Sequence, residues 1–349
     1  MPKPQPPKKR VTIKDVAREA GVAFKTVSRV INNDTTVTTA NREKIQAAIK
    51  QLNYRVDSSA RNLRSNSSFT LGLIYDRLNA FYIVNIQNGA IKVCQETHYS
   101  LQILPLYDEK SLDATELAGI ATSARISGFI ITPPFSEKPD LIEGLREHKI
   151  PFVRIISNSD MSPDTADLVV QIDDYTIGKR LTEYLLELGH SRIAFLWGQV
   201  SHRTSIDRHR GFLAAMENSK TPINENYVLK GEYTYQSGYD RALKLFAQPT
   251  RPTAIITSND DIAAGVIAAA NRSGIKVPDD LSVIGIRNTP LAHQTFPRVT
   301  GFDLDAEELS ATATRLLISH LSSQEDSERV INFKLQFNER ESTAKPPEA

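Results

Sequence analysis

Positive charge is concentrated at the start of the chain. Residues 1–65 contain fourteen lysines and arginines against five acidic residues, so this region has a net charge of +9 and the remainder has −8. Neutralisation of phosphates by lysine and arginine supplies most of the nonspecific affinity of proteins for nucleic acids. The distribution indicates a small polyanion-binding region joined to a mildly acidic body. A solvated positive surface without a partner would have the same charge.

Side chains that could support catalysis form no recognised pattern. The sequence has no GxGxxG motif after a strand, no GxxxxGK[ST] phosphate loop, no GxSxG motif and no HExxH motif. Its seven histidines lack metal-ligand spacing, and His202 lies near Ser201 and Ser205 without a placed acidic partner. Cys94 is the only cysteine, which rules out an intrachain disulfide and a cysteine-based metal cluster. We therefore expect neither an enzyme nor a bound cofactor.

The basic region contains the elements of a helix-turn-helix. Thr12–Asp15 has the [ST]-x-x-[DE] form of a capping box ahead of a run with helical periodicity. A helix should end at Gly21, which permits a sharp turn, and a second short helix is predicted from Phe24 to Ile31. Ala17, Gly21 and Val27 have the spacing of a helix-turn-helix, with a small residue at the helix crossing and glycine in the turn.

A third helix is predicted from about Thr39 to Leu52, where apolar residues recur at helical spacing. Three short helices around one core make a DNA-binding unit of about 50 residues. The positive charge and the helix-turn-helix pattern therefore point to the same function.

The rest of the chain alternates between short apolar strands and amphipathic helices, which predicts parallel sheets covered on both faces. The predicted strands are Thr70–Tyr75, Leu101–Leu106, Gly128–Thr132, Pro151–Ile156, Val169–Ile172, Arg192–Trp197, Ala254–Thr257 and Ser282–Ile286. The predicted helices include Tyr82–Glu96, Tyr175–Leu188, Arg208–Asn218, Ser237–Phe246 and Asp261–Arg272. About 280 residues are too many for one ordinary sheet, so we expect two doubly wound lobes with a ligand cleft at the carboxyl ends of the strands.

The headpiece closely resembles that of the lactose-repressor (LacI) family of bacterial transcription regulators, through the run TIKDVAREAGVAFKTVSRVINNDTTVTTANREKIQAAIKQLNYR followed by the hinge SSARNLRS. The body resembles the family's periplasmic-binding-protein-type effector domain through GLIYDRLNAFY, ELGHSRIAFLWG, RHRGFLAAM, YQSGYDRA, AIITSNDDIAAG and VPDDLSVIG. Two residues depart from the family pattern: Ala23 replaces a frequent capping serine, and Val56 replaces a proline that usually opens the hinge.

The resemblance implies a small all-α helix-turn-helix headpiece plus a hinge helix, joined to a two-lobed α/β effector domain with doubly wound parallel sheets. It divides the chain into a basic disordered tail at residues 1–10, a DNA-binding domain at 11–56, a hinge helix and linker at 57–66, a ligand-binding and dimerisation domain at 67–341, and a disordered tail at 342–349. Within the body, the first lobe is expected to span about 70–160 plus a C-terminal helix. The second is expected to span about 163–288 plus a final strand near Val330–Phe337.

The resemblance also implies which residues contact DNA: Thr12, Phe24, Lys25, Thr26, Ser28, Arg29, Asn32, Ala60, Arg61, Leu63 and Arg64. The second helix would enter the major groove, where Arg29 has the chemistry to pair with guanine and Phe24 to cover a thymine methyl. Paired hinge helices would insert Leu63 into the minor groove and kink the duplex. The alternatives are exposed helix residues without base contacts, and a plain linker.

The implied effector cleft is formed by Tyr82, His202, Thr204, Arg208, Tyr233, Asn259, Asp260 and Arg287. Arg287 stands where the family commonly has aspartate, and Ile156 stands at another position that is polar in the family. Arg287 with Arg208 and His202 could favour an acidic ligand such as a uronate or a sugar phosphate. Alternatively, Arg287 pairs with Asp303 or Asp305, the tyrosines pack between the lobes, and Asp260 caps a helix.

The resemblance therefore implies a ligand-responsive repressor of carbohydrate-utilisation genes that binds a pseudo-palindromic operator and is released by a sugar or sugar-derived effector. Its expected partners are double-stranded operator DNA, the effector and a second copy of the chain in a homodimer. A dimer is preferred to a tetramer, because no leucine heptads that could form a tetramerising coiled coil follow the last strand. We expect a location in the bacterial cytoplasm at the nucleoid, because no apolar run approaches the roughly 18 residues that span a bilayer and no signal peptide is apparent. The alternative is a cytoplasmic sugar-binding protein without regulatory DNA binding.

Overall fold

The computed structural model describes residues 11–31, 36–52, 54, 69–76, 80–106, 113–157, 167–287, 289–322 and 328–348. Two compact units divide the chain, Met1–Ser67 and Ser68–Ala349. We call the first the headpiece and the second the effector domain. No helix within the described ranges is long and apolar enough to cross a membrane.

The headpiece has three described helices, α1 (Ile13–Glu19), α2 (Phe24–Ile31) and α3 (Thr39–Gln51). Their buried faces form one small core of Val16, Ala17, Val27, Val30, Ile45 and Ala48. Gly21 lies between α1 and α2 with a φ of 63°, a conformation that L side chains rarely adopt. The helix-turn-helix predicted from sequence is confirmed.

The starts of α1 and α2 are capped differently. The backbone N–H of Thr12 donates to the Asp15 carboxylate at 2.9 Å, which closes the start of α1. At the start of α2 the carbonyl of Ala23 accepts the N–H of Thr26 at 2.9 Å, and alanine has no side-chain acceptor to add. A capping bond of about 1 kcal/mol is therefore missing at α2.

The effector domain contains twelve described strands and nine described α-helices in two lobes. The strands are β1 (Thr70–Asp76), β2 (Ser100–Leu106), β3 (Gly128–Ile131), β4 (Phe152–Ser157), β5 (Leu168–Ile172), β6 (Ile193–Leu196), β7 (Val228–Leu229), β8 (Ala254–Thr257), β9 (Ser282–Arg287), β10 (Thr300–Asp303), β11 (Val330–Phe333) and β12 (Gln336–Asn338). The helices are α4 (Ala80–Thr97), α5 (Ala114–Ser123), α6 (Pro139–Glu147), α7 (Asp174–Glu187), α8 (Arg203–Asn218), α9 (Tyr235–Phe246), α10 (Asp260–Arg272), α11 (Pro290–Gln294) and α12 (Ala306–Leu321).

Each lobe is built on a six-stranded sheet. Lobe 1 has the strand order β11-β5-β4-β3-β1-β2 with parallel pairing throughout, and lobe 2 has the order β12-β10-β9-β8-β6-β7. Only the β10–β12 pair among the described strands is antiparallel. The two doubly wound lobes that the periodicity predicted are confirmed.

The chain passes between the lobes at three places: after β5, after β10, and between β11 and β12. At the first crossing, α7 and α8 approach closely enough that a Cβ on Gly178 would collide with the Arg208 carbonyl group. Glycine is therefore required at this position. The close packing of the two helices fixes the position of the Arg208 backbone relative to α7.

Three predictions from the sequence were wrong: two concern which lobe a strand joins, and one concerns the start of a helix. β5 belongs to the sheet of lobe 1, although lobe 2 was expected to begin near residue 163. The single final strand is two strands, β11 in lobe 1 and β12 in lobe 2. The helix expected to begin at Arg208 begins at Arg203. A short apolar stretch shows its extended conformation in the sequence but not which sheet it joins, because that choice depends on contacts distant along the chain.

Residues 342–344 are packed against lobe 2, which corrects the disordered tail expected to begin at residue 342. Ser342 is fully buried. Its carbonyl accepts the N–H of Val283 at 2.8 Å, and its hydroxyl accepts the N–H of Thr300 at 2.8 Å. The packing of this segment could not be predicted from its polar composition. Hydrogen bonds to the backbone of β9 and β10 hold it, and these do not require apolar residues.

Candidate effector cleft and DNA-binding surface

The outer face of α2 carries the predicted DNA-reading side chains. Lys25 and Arg29 are exposed one helical turn apart, while Val27 and Val30 face the core. Phe24 is half-buried and packs partly against the headpiece core. The remaining described members of the set are Thr12, which is exposed, and Thr26 and Ser28, which are half-buried. Asn32, Ala60, Arg61, Leu63 and Arg64 lie outside the described residues.

A cleft of about 650 Å³, counting the space open to solvent, lies in the effector domain at the carboxyl ends of its strands. Both lobes contribute to its lining, which consists of Asp76, Tyr82, Pro133, Ile155, Ile156, Ile172, Asp174, His202, Thr204, Arg208, Tyr233 and Leu304. The cleft thus brings together five of the eight residues proposed from sequence: Tyr82, His202, Thr204, Arg208 and Tyr233.

Arg208 is fixed by an ion pair with Asp174. Its Nε and Nη2 atoms each lie 2.7 Å from Oδ1 of Asp174, and its Nη1 donates to the Ser258 carbonyl at 2.8 Å. Both charged side chains are only 2% exposed. A charge this deeply buried requires a partner, and Asp174 at the start of α7 supplies one. The guanidinium is therefore held in one orientation at the wall of the cleft.

Tyr233 is held from three sides. Its hydroxyl lies 2.7 Å from the Ser205 hydroxyl, and its carbonyl accepts Nδ2 of Asn259 at 3.1 Å. Its ring centroid lies 5.7 Å from that of His202. A Cβ at Gly198 would collide with the Tyr233 ring, so the glycine makes room for it. The ring is thus presented to the cleft in a fixed position.

Arg241 fixes the loop that carries Tyr233. Its guanidinium donates to the carbonyls of Trp197 at 2.7 Å, Leu229 at 3.0 Å and Glu232 at 3.2 Å. Burial lowers the pKa of Arg241 to about 10, and the nearby Glu232 partly opposes this. The guanidinium remains charged at neutral pH. Arg241 was not identified from sequence, because it lies in the middle of an ordinary amphipathic helix.

Asp76 and His202 face each other across the cleft. Asp76 ends β1 in lobe 1 and His202 precedes α8 in lobe 2, and the carboxylate oxygen lies 3.8 Å from Nε2 of the histidine. At this separation the two form an ion pair only when the histidine is protonated. A residue from each lobe therefore contributes polar groups to the same part of the cleft.

The other three proposed residues are placed differently. Asn259 caps α10, where its Oδ1 accepts the N–H of Ile262 at 2.9 Å. The Asp260 carboxylate accepts the N–H of Thr289 at 2.6 Å. Neither belongs to the lining of the cleft. Arg287 ends β9, and its side chain lies outside the described residues. Asp303, an alternative partner for Arg287, accepts hydrogen bonds from Arg340 and Asn338 at 2.7 Å.

Two acidic residues of the cleft were missed in the sequence. Asp76 is the last residue of β1, and Asp174 follows β5 by two residues. Because ligands of doubly wound folds bind at the carboxyl ends of strands, an acid within two residues of the end of a predicted strand was the signal that could have found both. The apolar lining residues Ile155, Ile172 and Leu304 gave no such signal.

A three-helix DNA-binding unit attached to a two-lobed ligand-binding domain is the architecture of a ligand-controlled transcription regulator. The model of bacterial regulatory proteins, lacI family, matches residues 12–57, and that of the periplasmic binding protein-like domain matches residues 182–343. The HTH-type transcriptional repressor PurR of Yersinia pestis (strain Pestoides F) is 32% identical over 338 residues, which cover 96% of this chain and 98% of that protein.

Solved structures show the same fold. The Lac repressor dimer bound to operator and the anti-inducer ONPF has a TM-score of 0.74 at 24% identity, covering 96% of this chain and 100% of that one. The transcriptional regulator CelR in complex with cellobiose has a TM-score of 0.70 at 24% identity, covering 95% and 100%.

The chain belongs to the LacI family of bacterial transcription regulators. It is a ligand-responsive, DNA-binding regulator of transcription and not an enzyme, since its relatives are transcriptional repressors. The expectations for family, fold class and general function are confirmed.

Proposed function

We propose that this regulator binds a pseudo-palindromic operator as a homodimer and that a neutral sugar or sugar derivative in the cleft controls the binding. Residues 11–56 would read one half-site, 57–66 would form the hinge, and 67–341 would bind the effector and dimerise. A two-fold dimer matches the two-fold symmetry of such an operator. The regulator would act in the bacterial cytoplasm, at the nucleoid.

The ion pair between Arg208 and Asp174 is the observation that supports a neutral ligand. Asp174 balances the charge of Arg208, and the contacts to Asp174 and Ser258 leave two of the five guanidinium N–H groups for a ligand. The described lining contains two carboxylates, those of Asp76 and Asp174, against Arg208 and His202. An acidic ligand would add a negative charge to a site without excess positive charge, whereas hydroxyl groups can accept the remaining N–H bonds at no such cost.

The rest of the lining fits a ring with one apolar face. Tyr82 supplies an aromatic side chain, and Ile155, Ile156, Ile172 and Leu304 supply apolar surface. Sugars combine an apolar face with hydroxyl groups at the rim, so a mixed wall of this kind suits them. The relative CelR was solved with cellobiose, but at 24% identity it supports the fold alone. The sugar proposal therefore depends on the composition of the cleft.

We infer that the effector weakens operator binding. Closure of the lobes about the three crossings would change the spacing of the two hinges in a dimer. By linkage, the effector would reduce DNA affinity by the same factor with which DNA reduces effector affinity. The regulated genes would then be expressed when the sugar is present.

An acidic effector is the second candidate, and the arginine at position 287, where the family commonly has aspartate, is the observation that favours it. Calorimetry on the full chain separates the two candidates. The neutral panel is ribose, glucose and cellobiose, and the acidic panel is glucuronate and glucose 6-phosphate. A neutral sugar should bind, and binding by acidic sugars alone would contradict the neutral proposal.

A matched pair of variants ties binding to the cleft. Arg208→Lys keeps the charge but removes the forked geometry, so it should weaken sugar binding at least tenfold. Arg180→Lys changes an arginine on the neighbouring helix α7 whose side chain is 60% exposed and which lies outside the lining. It should leave affinity unchanged.

A further inference from the structure

Ser157 connects two acidic residues from different lobes at the edge of the cleft. It ends β4 in lobe 1 and is 3% exposed. Its backbone N–H donates to the carboxylate of Glu137 at 2.9 Å, and Glu137 belongs to lobe 1. Its hydroxyl donates to the carboxylate of Asp207 at 2.9 Å, and Asp207 lies on α8 in lobe 2. One serine thus bridges an acid of each lobe.

The negative charges of Asp207 and Glu137 are neutralised by neighbouring groups to different extents. Asp207 is fully buried, and Arg203 and Arg210 each approach its carboxylate to 3.3 Å. Glu137 has no ion pair among the described residues, and the Ser157 N–H is its one hydrogen bond there. The uncompensated charge at this junction is therefore that of Glu137.

The other charged groups around Glu137 come from several elements. Arg154 on β4 donates to the Ser136 carbonyl and pairs with Asp167 at 2.9 Å, so its charge is already shared. Lys138 places its amino group 5.0 Å above the Phe135 ring. The remaining charged residues of β1 and α6 are Asp76, Asp140, Glu143, Arg146 and Glu147, and α7 contributes the charge of Asp174.

Burial raises the pKa of Glu137 to about 7. The charges of Asp174 and Asp207 also raise it, whereas the Ser157 hydrogen bond and Arg154 lower it. Glu137 therefore exchanges its proton in the neutral range, and two of the charges that act on it belong to α7 and α8, the helices that follow the first crossing between the lobes.

We propose that a proton on Glu137 holds the two lobes together through Ser157 and Asp207, and that loss of this proton opens the cleft. With Glu137 protonated, the serine bridges a neutral acid and an anion. With Glu137 ionised, an uncompensated negative charge is held in a poorly solvated place beside the Asp207 carboxylate. Separation of the lobes returns this charge to water and reduces its repulsion by Asp207. The three crossings between the lobes permit this movement. Protons thus act as a second effector.

This inference concerns lobe closure, so its test needs no effector and its outcome is independent of which ligand fills the cleft. Spin labels at Glu147→Cys on α6 and Glu217→Cys on α8 would report the distance between lobes in the full-length chain by pulsed electron resonance. Both positions are exposed. The single native thiol, Cys94, is buried and burial raises its pKa to about 12, so it should remain unlabelled.

The distance distribution should shift to longer values between pH 6 and pH 8, with a midpoint near the pKa of about 7. Glu137→Gln should keep the short distance at both pH values, and Asp140→Asn, an exposed acid on the neighbouring helix, should respond to pH as the parent does. Ser157→Ala should give the long distance already at pH 6. An unchanged distance in the parent, or an equal shift in Glu137→Gln, would overturn the proposal. If Glu137→Gln fails to fold, the parent and Ser157→Ala decide the question.

Discussion

Arg208 and Asp174 form an ion pair in which the guanidinium and the carboxylate lie 2.7 Å apart and each side chain is only 2% exposed. The pair joins α8 to the start of α7, next to the first crossing between the lobes. It therefore supports the fold of lobe 2 and orients the arginine that faces the cleft. Stability and effector binding should depend on the same contact.

Asp174→Asn should destabilise lobe 2 by about 3 kcal/mol, because it leaves the buried charge of Arg208 without a counter-ion. Urea unfolding followed by the fluorescence of Trp197, the only tryptophan, would report this lobe. The control is Arg180→Gln, which breaks a surface pair with Glu183 on α7 whose side chains are 60% and 29% exposed. That change should cost less than about 1 kcal/mol. Equal losses in the free energy of unfolding for the two variants would show that the buried pair contributes no more to stability than an exposed one.

Arg29→Ala should weaken operator binding by about 1–3 kcal/mol and relax the preference at one base pair of each half-site, because a bidentate contact to guanine would be lost. Gel-shift titration against a selected operator and its single-base variants would measure both effects. Lys50→Ala removes an exposed charge at the end of α3, away from α2, and serves as the control. A uniform loss of affinity across all base variants would assign Arg29 to phosphate contact instead.

Leu63→Ser should weaken operator binding and abolish the bend in the DNA while leaving sugar affinity intact, because the apolar side chain is expected to wedge between base pairs. Circular-permutation gel shifts would measure the bend, and calorimetry would measure sugar affinity. Asn62→Ser changes the preceding residue without removing an apolar group. An unchanged bend angle in Leu63→Ser would count against the wedge.

The free energy of unfolding of the effector domain should depend on pH because Glu137 titrates. Its folded pKa of about 7 lies above its ordinary value of 4.5, so the folded state holds the proton more tightly between these values. The stabilisation is complete below about pH 4.5 and is lost as the pH rises to about 7. His209, whose pKa burial lowers to about 4, acts in the opposite direction, because the unfolded state then binds the proton more tightly.

The difference in free energy of unfolding between the parent and Glu137→Gln separates the effect of Glu137 from that of His209, because both proteins contain the histidine. The variant should gain stability relative to the parent as the pH rises from 5 to 7, and the difference should become constant above about 7.5. Urea unfolding midpoints at several pH values, followed by Trp197 fluorescence, would show this trend. A difference that does not vary with pH would mean that Glu137 does not titrate in this range.

Sequence periodicity predicted much of the architecture for a physical reason. The bounds of α2, Phe24–Ile31, were predicted without error, because the apolar residues of this short amphipathic helix follow a helical period and a glycine turn precedes them. The central strands are apolar on both faces and were equally visible. By contrast, β7 has only two residues, and β10 (TGFD) has a single large apolar residue, so neither gives a clear pattern.

The family resemblance predicted Tyr82, Thr204 and Arg208 as cleft residues, and all three line the cleft, but it did not show what Arg208 contacts. The partner, Asp174, is 34 residues away along the chain and meets Arg208 only because α7 and α8 pack closely at Gly178. Such contacts depend on tertiary packing and leave no local spacing in the sequence. The bridge from Glu137 through Ser157 to Asp207 was invisible for the same reason.

Operator affinity measured with and without effector tests the central claim most directly. The full-length chain would first select DNA from a random pool, and gel-shift titrations on the selected sequence would then be repeated at saturating concentration of the sugar that calorimetry identifies. We expect enrichment of a pseudo-palindrome and at least a tenfold loss of operator affinity when the sugar is bound. Failure to enrich any palindrome, or operator affinity that stays constant when the cleft is filled, would contradict effector-controlled DNA binding by this chain.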